Sequence, residues 1–293
     1  MIVSLNDVLK DNVVFQFNFH NLEFLKAILE VHYEENYPLI LGISESGLNY
    51  MGEDFVKGFI FTIERSYKNL PIVIHLDHGR NLEIILKAIK LGFSSVMIDG
   101  SSLDFDSNVK ITSEVVNICH KIGISVEGEI GQLKGSDYMT DPDEAKKFVE
   151  LTNVDALAIS IGTKHGAYKG EVKLDFDRLK KIKSLLPDTF LVLHGASSVY
   201  ENYINLINYY GGKITNAGGI PDEHYIIAVK YGIRKINIDT DLRIAFVYGI
   251  RKFLFDNPSE IDPRKILKSS MEVIKDVVRH KLVLIRQGTI TPS

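Results

Sequence analysis

Pro71-Ile72-Val73-Ile74-His75-Leu76-Asp77-His78-Gly79 is the stretch on which the fold turns. An apolar run enters it and a helical pattern from Leu82 leaves it, so it reads as the carboxyl end of a buried strand turning toward a helix. Alternation along a strand sends His75 and Asp77 to one side and Leu76 and His78 to the other. If the strand ends at Leu76, both Asp77 and His78 turn into a cleft. An Asp beside a His also reads as a plain hydrogen-bonded pair with no chemistry. Its meaning therefore depends on what the rest of the chain brings to it.

Outward from this stretch, strand-like apolar runs alternate with helical patterns in both directions. The runs fall at 13–18, 38–44, 72–76, 95–99, 124–129, 156–161, 190–194 and 235–238. Helical periodicity fills the gaps at 22–35, 55–67, 82–91, 109–121, 142–151, 176–186, 200–209 and 221–231. Asp141 before Pro142 marks a helix start, with the acid at the N-cap and proline at the first helical position. Gly92, Gly123 and Gly232 sit just past helix ends.

Apolar strands, each followed by a helix, imply a parallel sheet covered by helices. Eight such units favour an α/β fold of the (β/α)8 TIM-barrel type over an open sheet. No Gly-x-Gly-x-x-Gly follows the first strand, which weighs against a dinucleotide-binding sheet. No linker or composition break interrupts 1–293, so one domain is expected. From Leu242 the tail continues as additional C-terminal helices, interrupted at Asn257-Pro258 and Asp262-Pro263. These either cap the barrel or pack against another subunit.

The chain is 45% hydrophobic and 25% charged, the balance of a soluble globular protein. Its net charge of −4 gives no reason to expect nucleic acid or an anionic membrane as partner. The single cysteine, Cys119, excludes an internal disulfide and fits a reducing, cytoplasmic setting. It lies in a helical pattern, as a buried structural thiol does. Met1-Ile2-Val3-Ser4-Leu5-Asn6-Asp7 lacks the features of a signal peptide. No apolar run reaches the roughly 18 residues of a membrane span.

In a barrel of this kind the chemistry sits at the carboxyl ends of the strands. Those ends carry Asn18, Ser44-Glu45, Asp77-His78, Asp99-Gly100-Ser101, Glu127 and Glu129, Gly162-Thr163-Lys164-His165-Gly166, His194-Gly195-Ala196-Ser197 and Asn237-Ile238-Asp239-Thr240. His78, His165 and His194 converge on one mouth. Three imidazoles with carboxylates nearby suit a divalent metal of the zinc type, with coordination left open for catalysis. The alternative is three independently satisfied histidines. The loops after the seventh and eighth strands commonly bind phosphate through backbone N–H groups, which points to a phosphorylated substrate.

The constellation resembles the class II, metal-dependent fructose-bisphosphate aldolases, in the group that includes tagatose-bisphosphate aldolases. It is carried by Gln16-Phe17-Asn18, Ile40-Leu41-Gly42-Ile43-Ser44-Glu45, His75-Leu76-Asp77-His78-Gly79, Ser95-Val96-Met97-Ile98-Asp99-Gly100-Ser101 and Val126-Glu127-Gly128-Glu129-Ile130-Gly131. It continues through His165-Gly166-Ala167-Tyr168-Lys169-Gly170, Leu193-His194-Gly195-Ala196-Ser197, Lys235-Ile236-Asn237-Ile238-Asp239-Thr240-Asp241 and Asp262-Pro263-Arg264-Lys265. The resemblance implies that His78, His165 and His194 hold Zn2+, with Co2+ or Mn2+ as alternatives, and leaves room for a monovalent cation. Asp99 and Glu129 match a second, displaced metal position. Asp77 would exchange the proton of the C4 hydroxyl. Gly166, Gly195, Ala196, Ser197, Asn237, Ile238, Asp239 and Thr240 would hold the dihydroxyacetone-phosphate half, and Asn18, Ser44 and Arg243 the other phosphate. An Asp at 239 favours fructose 1,6-bisphosphate over its tagatose epimer.

Three departures stand out. Where the family usually has a loop Glu, this chain has Asp137, one methylene shorter, as the second proton-transfer group. The more common His-Gly-Gly-Ser-Gly is His194-Gly195-Ala196-Ser197-Ser198 here. The tail lacks a Gly-Pro-x-Arg stretch after Arg264. Two other chemistries compete: a Schiff base on Lys164, and a non-catalytic sugar-phosphate-binding barrel with a structural metal. A homodimer or homotetramer is expected from the apolar faces of the C-terminal helices.

Overall fold

The computed structural model describes residues 1–132, 138–163, 172–215 and 218–290. Eight strands, all parallel, close in sequence order into a barrel: β1 (Val14–Asn18), β2 (Leu39–Ser44), β3 (Ile72–Gly79), β4 (Ser95–Ile98), β5 (Ser125–Ile130), β6 (Ala156–Ile159), β7 (Phe190–Leu193) and β8 (Ile233–Ile238). Closure is made by β1 on β8, with Val14 opposite Lys235. This is the expected (β/α)8 barrel. Asp141 caps the helix Pro142–Thr152, and Gly92 and Gly123 end helices in the left-handed region, as read from the sequence.

Alternation along the strands sorts the core into two shells. One parity faces the helices: Phe15, Phe17, Leu41, Ile74, Leu76, Leu157, Leu191 and Ile236 belong to one large buried cluster. The other parity faces the lumen. Its lower layer is Val14, Ile40, Val73, Ala156 and Val192, closed from below by Leu5, Val8 and Leu9. Those three lie on a short helix, Leu5–Leu9, whose start is a Ser4–Asp7 capping box. One layer higher the lumen turns polar, with Gln16, His75, Glu127 and Lys235 all fully buried. At Gly42 a Cβ would come within 2.0 Å of the Asn18 side-chain oxygen and 2.5 Å of the Gln16 amide, so glycine makes room for the two amides.

The third strand runs farther than the sequence implies, through Gly79 rather than Leu76. Its pairing with β4 slips between Leu76 and Gly79. His78 sits inside this slip at φ +52°, a conformation that costs free energy outside glycine and collects at functional sites. The slip, not the end of the strand, re-aims the two side chains. The C-terminal helices Thr240–Asp256 and Pro263–Ile290 cover this same barrel; the longer one lies against the helices Leu22–Glu34, Asp222–Lys230 and Thr240–Asp256. The packing on the barrel is thus seen directly. Cys119 is buried, and burial pushes its thiol up to about 11. Among the described residues no helix is long and apolar enough to cross a membrane.

Candidate active site

The carboxyl ends of the strands open into a cavity of about 420 Å3, lined by Asn18, Ser44, Ser46, Asp77, His78, Arg80, Asp99, His194, Gly195, Ala196, Ser197, Asn237, Asp239, Thr240 and Arg243. Most of the residues picked out in the sequence therefore meet in one place. Ile238 does not: its side chain is fully buried among the outward-facing apolar residues, because it has the opposite parity to Asn237 and Asp239. Glu129 is buried just beneath the mouth. His165, Gly166, Lys164 and Asp137 lie outside the described residues.

Asp77 is held from two sides. Its Oδ2 accepts the Asn18 amide at 2.7 Å and its Oδ1 accepts the Asn237 amide at 3.1 Å. Burial pushes its carboxyl up, but His78, His194 and Lys235 outweigh burial and hold it well below the usual carboxylate range. The amides are aimed in turn: Gln16 donates to Asn18 at 2.8 Å, and Lys235 donates to Asn237 at 2.8 Å.

The two histidines face one another. His78 Nε2 lies 3.1 Å from His194 Nδ1. Their outer nitrogens are each engaged by a carboxylate: His78 Nδ1 donates to Asp99 at 2.9 Å and His194 Nε2 to Glu127 at 2.7 Å. With those N–H bonds directed outward, each ring turns its other nitrogen toward its neighbour, and the Asn237 amide nitrogen also lies 3.2 Å from His194 Nδ1. Burial lowers the His78 pKa, but Asp77, Asp99 and Glu129 raise it to about 9. Glu129 adds a carboxylate oxygen with no hydrogen-bond partner among the described residues, 3.7 Å from His78 Nδ1. Burial, reinforced by Asp99, pushes its pKa up to about 8. Asp77, His78 and His194 form one group whose ligand atoms lie within 4.8 Å of one another, and His78, Asp99 and Glu129 form another. A tetrahedral zinc ion would hold two imidazole nitrogens about 3.3 Å apart. The pair is thus already spaced and oriented for a divalent cation.

Beneath this lies a fully buried charge network that connects strands which are not neighbours. Glu127 on β5 pairs with Lys235 on β8 at 2.8 Å and lies 3.7 Å from His75 on β3. Such bridges can only cross the lumen. Burial opposes ionisation of Glu127, but Lys235 and His194 hold its pKa well below the usual carboxylate range. His75 goes the other way. Burial and then Lys235 lower its pKa to about 3, so it is a neutral hydrogen-bonding member of the wall, 2.8 Å from Ser95 Oγ.

At the far rim, Arg243 binds Asp239 through two nitrogens at 2.8 and 2.7 Å, and His20 meets the same carboxylate at 2.8 Å. His20, Arg80 and Lys235 were absent from the sequence-based site, and Glu127 was named there at a strand end without a role. Parity alone would have placed two of these: Glu127 precedes Glu129 by two, and Lys235 precedes Asn237 by two.

Comparison with known proteins agrees with this geometry. The chain matches the model of the family described as fructose-bisphosphate aldolase class-II over residues 8–288. It is 41% identical to a fructose-bisphosphate aldolase of Pseudomonas aeruginosa over 294 residues, covering 89% of this chain and 83% of that one. It is 42% identical to the fructose-bisphosphate aldolase of Helicobacter pylori strain 26695 over 281 residues, covering 92% and 91%. The crystal structure of the YdjI aldolase from Escherichia coli K12 superposes with a TM-score of 0.81 at 28% identity, over 98% of each chain. The family is metal-dependent, and its members act on phosphorylated sugars. The chain belongs to the class II fructose-bisphosphate aldolase family and is a carbon–carbon lyase.

Proposed function

We propose that the protein reversibly cleaves fructose 1,6-bisphosphate to dihydroxyacetone phosphate and glyceraldehyde 3-phosphate, using Zn2+ held by His78, His165 and His194. The observation that carries this reading is the facing pair His78 and His194, 3.1 Å apart with both outer N–H groups engaged by carboxylates, beside an ionised Asp77. Asp99 and Glu129 would form the displaced second metal position; the hydrogen bond from His78 also makes Asp99 the group that orients that ring. When bound, the divalent cation supplies the Lewis acidity that stabilises negative charge developing on the ketose half as the C3–C4 bond breaks.

The chain's own groups do the rest. Asp77, fixed by Asn18 and Asn237, accepts the C4 hydroxyl proton as that carbon becomes the new aldehyde. Asp137 returns a proton to C3 of the ketose half. The backbone of Gly166 and of Gly195–Ser197, together with Asn237–Thr240, binds the phosphate of that half; Ile238 contributes through its backbone only. Asn18, Ser44 and Arg243 serve the other phosphate, and Asp239 reads the C4 configuration. The protein works in the cytoplasm as a homodimer or homotetramer, with the barrel and its C-terminal helices forming one catalytic domain.

A coupled cleavage assay tests this, run with fructose and tagatose bisphosphates before and after exhaustive chelation. Cleavage of the fructose substrate is expected to vanish with the metal and return with Zn2+ or Co2+. Full activity in metal-free protein would sink the metal reading, and a preference for the tagatose epimer would overturn the substrate assignment.

A further inference from the structure

Lys281 lies on the C-terminal helix Pro263–Ile290 and is fully buried, yet none of the chemistry above uses it. Its ammonium carries three N–H donors and meets three oxygens: Ser198 Oγ at 2.8 Å, the Tyr225 hydroxyl at 3.0 Å and Asp241 Oδ2 at 3.0 Å. Each of these oxygens belongs to a group that grips the loop after β7. Asp241 accepts the Ser198 N–H at 3.0 Å and the Val199 N–H at 2.6 Å. Tyr225 donates its hydroxyl proton to the Ala196 carbonyl. Ser198 donates its own to Asp222 at 3.0 Å. With their protons so directed, the two hydroxyl oxygens lie 2.9 Å apart and both accept from Lys281. It also compensates the buried Asp241 carboxylate, which would be costly unpaired. Burial disfavours the ammonium, but Asp241, Tyr200 and Asp222 together outweigh it and raise the Lys281 pKa.

The loop needs holding. Val199 sits at φ +49°, a costly conformation for a β-branched residue. The segment behind the loop is pressed against it: a Cβ on Gly219 would lie 2.2 Å from the Ser197 carbonyl oxygen. Gly195, Ala196 and Ser197, the part of the loop just ahead of the grip, line the cavity.

We infer that Lys281 is a positioning residue for the reaction: from the C-terminal helix it holds the loop after β7 in the shape that receives the ketose-half phosphate. The inference rests on the aldolase reading above. It explains why the last helix, none of whose described residues lines the cavity, is built into the site.

Lys281→Met tests it, because the change keeps the buried stem and removes all three N–H donors. The expected result is a folded, fully metal-loaded enzyme with KM for fructose 1,6-bisphosphate raised at least tenfold and kcat within about threefold. Inhibition by dihydroxyacetone phosphate should weaken by a similar factor. A folded variant with KM within twofold of the parent overturns the inference, as does a fall in kcat with KM unchanged. If Lys281→Met does not fold, Ser198→Ala leaves the Lys281–Asp241 pair intact and removes one held oxygen. KM is then expected to rise about threefold, and an unchanged KM overturns the role. A parent enzyme that cleaves nothing refutes the aldolase reading; a cleaving parent with unaffected variants refutes only the role of Lys281.

Discussion

In the lower half of the lumen, Val14, Ile40, Val73 and Val192 close on Leu5, Val8 and Leu9. Two residues farther along strands β1, β3 and β7 stand Gln16, His75 and His194, all buried and all polar. The two halves share the same strands and are both buried. The lower half stabilises the barrel by removing apolar surface from water, at about 25 cal/mol per Å2. The upper half spends stability. A buried Glu127–Lys235 pair and two histidines cost desolvation that apolar residues of similar volume would avoid. Such a local cost one layer above a well-packed apolar plug is what a functional site is expected to carry.

The comparison is open to attack at both levels. In the upper half, Asp77→Ala should leave the fold and metal content intact while kcat falls by about 10²–10⁴, the usual share of a proton-transfer group. Near-parental turnover, measured by coupled assay, would remove Asp77 from the mechanism. In the lower half the expectation inverts. Ile40→Ala, at a fully buried position, should cost about 2–5 kcal/mol in urea unfolding with kcat/KM within twofold. A large loss of turnover at full folding would show that the apolar plug also shapes the site.

A histidine outside the barrel supplies the smallest and sharpest contrast. His32 lies on the helix Leu22–Glu34, stacked edge-on against Phe17 with ring centroids 5.7 Å apart, and donates to the Tyr37 carbonyl at 3.0 Å. Burial lowers its pKa to about 4. In the unfolded chain it titrates near 6.5. The unfolded state therefore binds more protons between these values, so the contribution of neutral His32 is complete above about pH 6.5 and is lost as pH falls toward 4. His32→Gln should remove about 2 kcal/mol from the stability difference between pH 7 and pH 5, with kcat unchanged. Coincident pH profiles for parent and variant would show that His32 is not held neutral by burial.

Much of this protein was legible in its sequence because parallel barrels write themselves locally. Eight apolar runs, each followed by helical periodicity, determined the architecture, and the polar residues at the ends of those runs marked the rim. Asp77, His78, Asp99 and His194 were readable for that reason. Strand parity also separates Asn237 and Asp239 from Ile238.

What the tertiary structure decided is which distant groups meet. No local pattern says that Glu127 finds Lys235 across the lumen, since that depends on the closure and stagger of the barrel. The strand runs past Leu76 to Gly79 because a slip in pairing depends on the neighbouring strand, not on the residues that slip. Lys281 reads in sequence as one more charge on an amphipathic helix. Only the packing of that helix over the barrel turns it inward, where a desolvated ammonium must find three oxygens and finds them on the groups that hold the loop after β7.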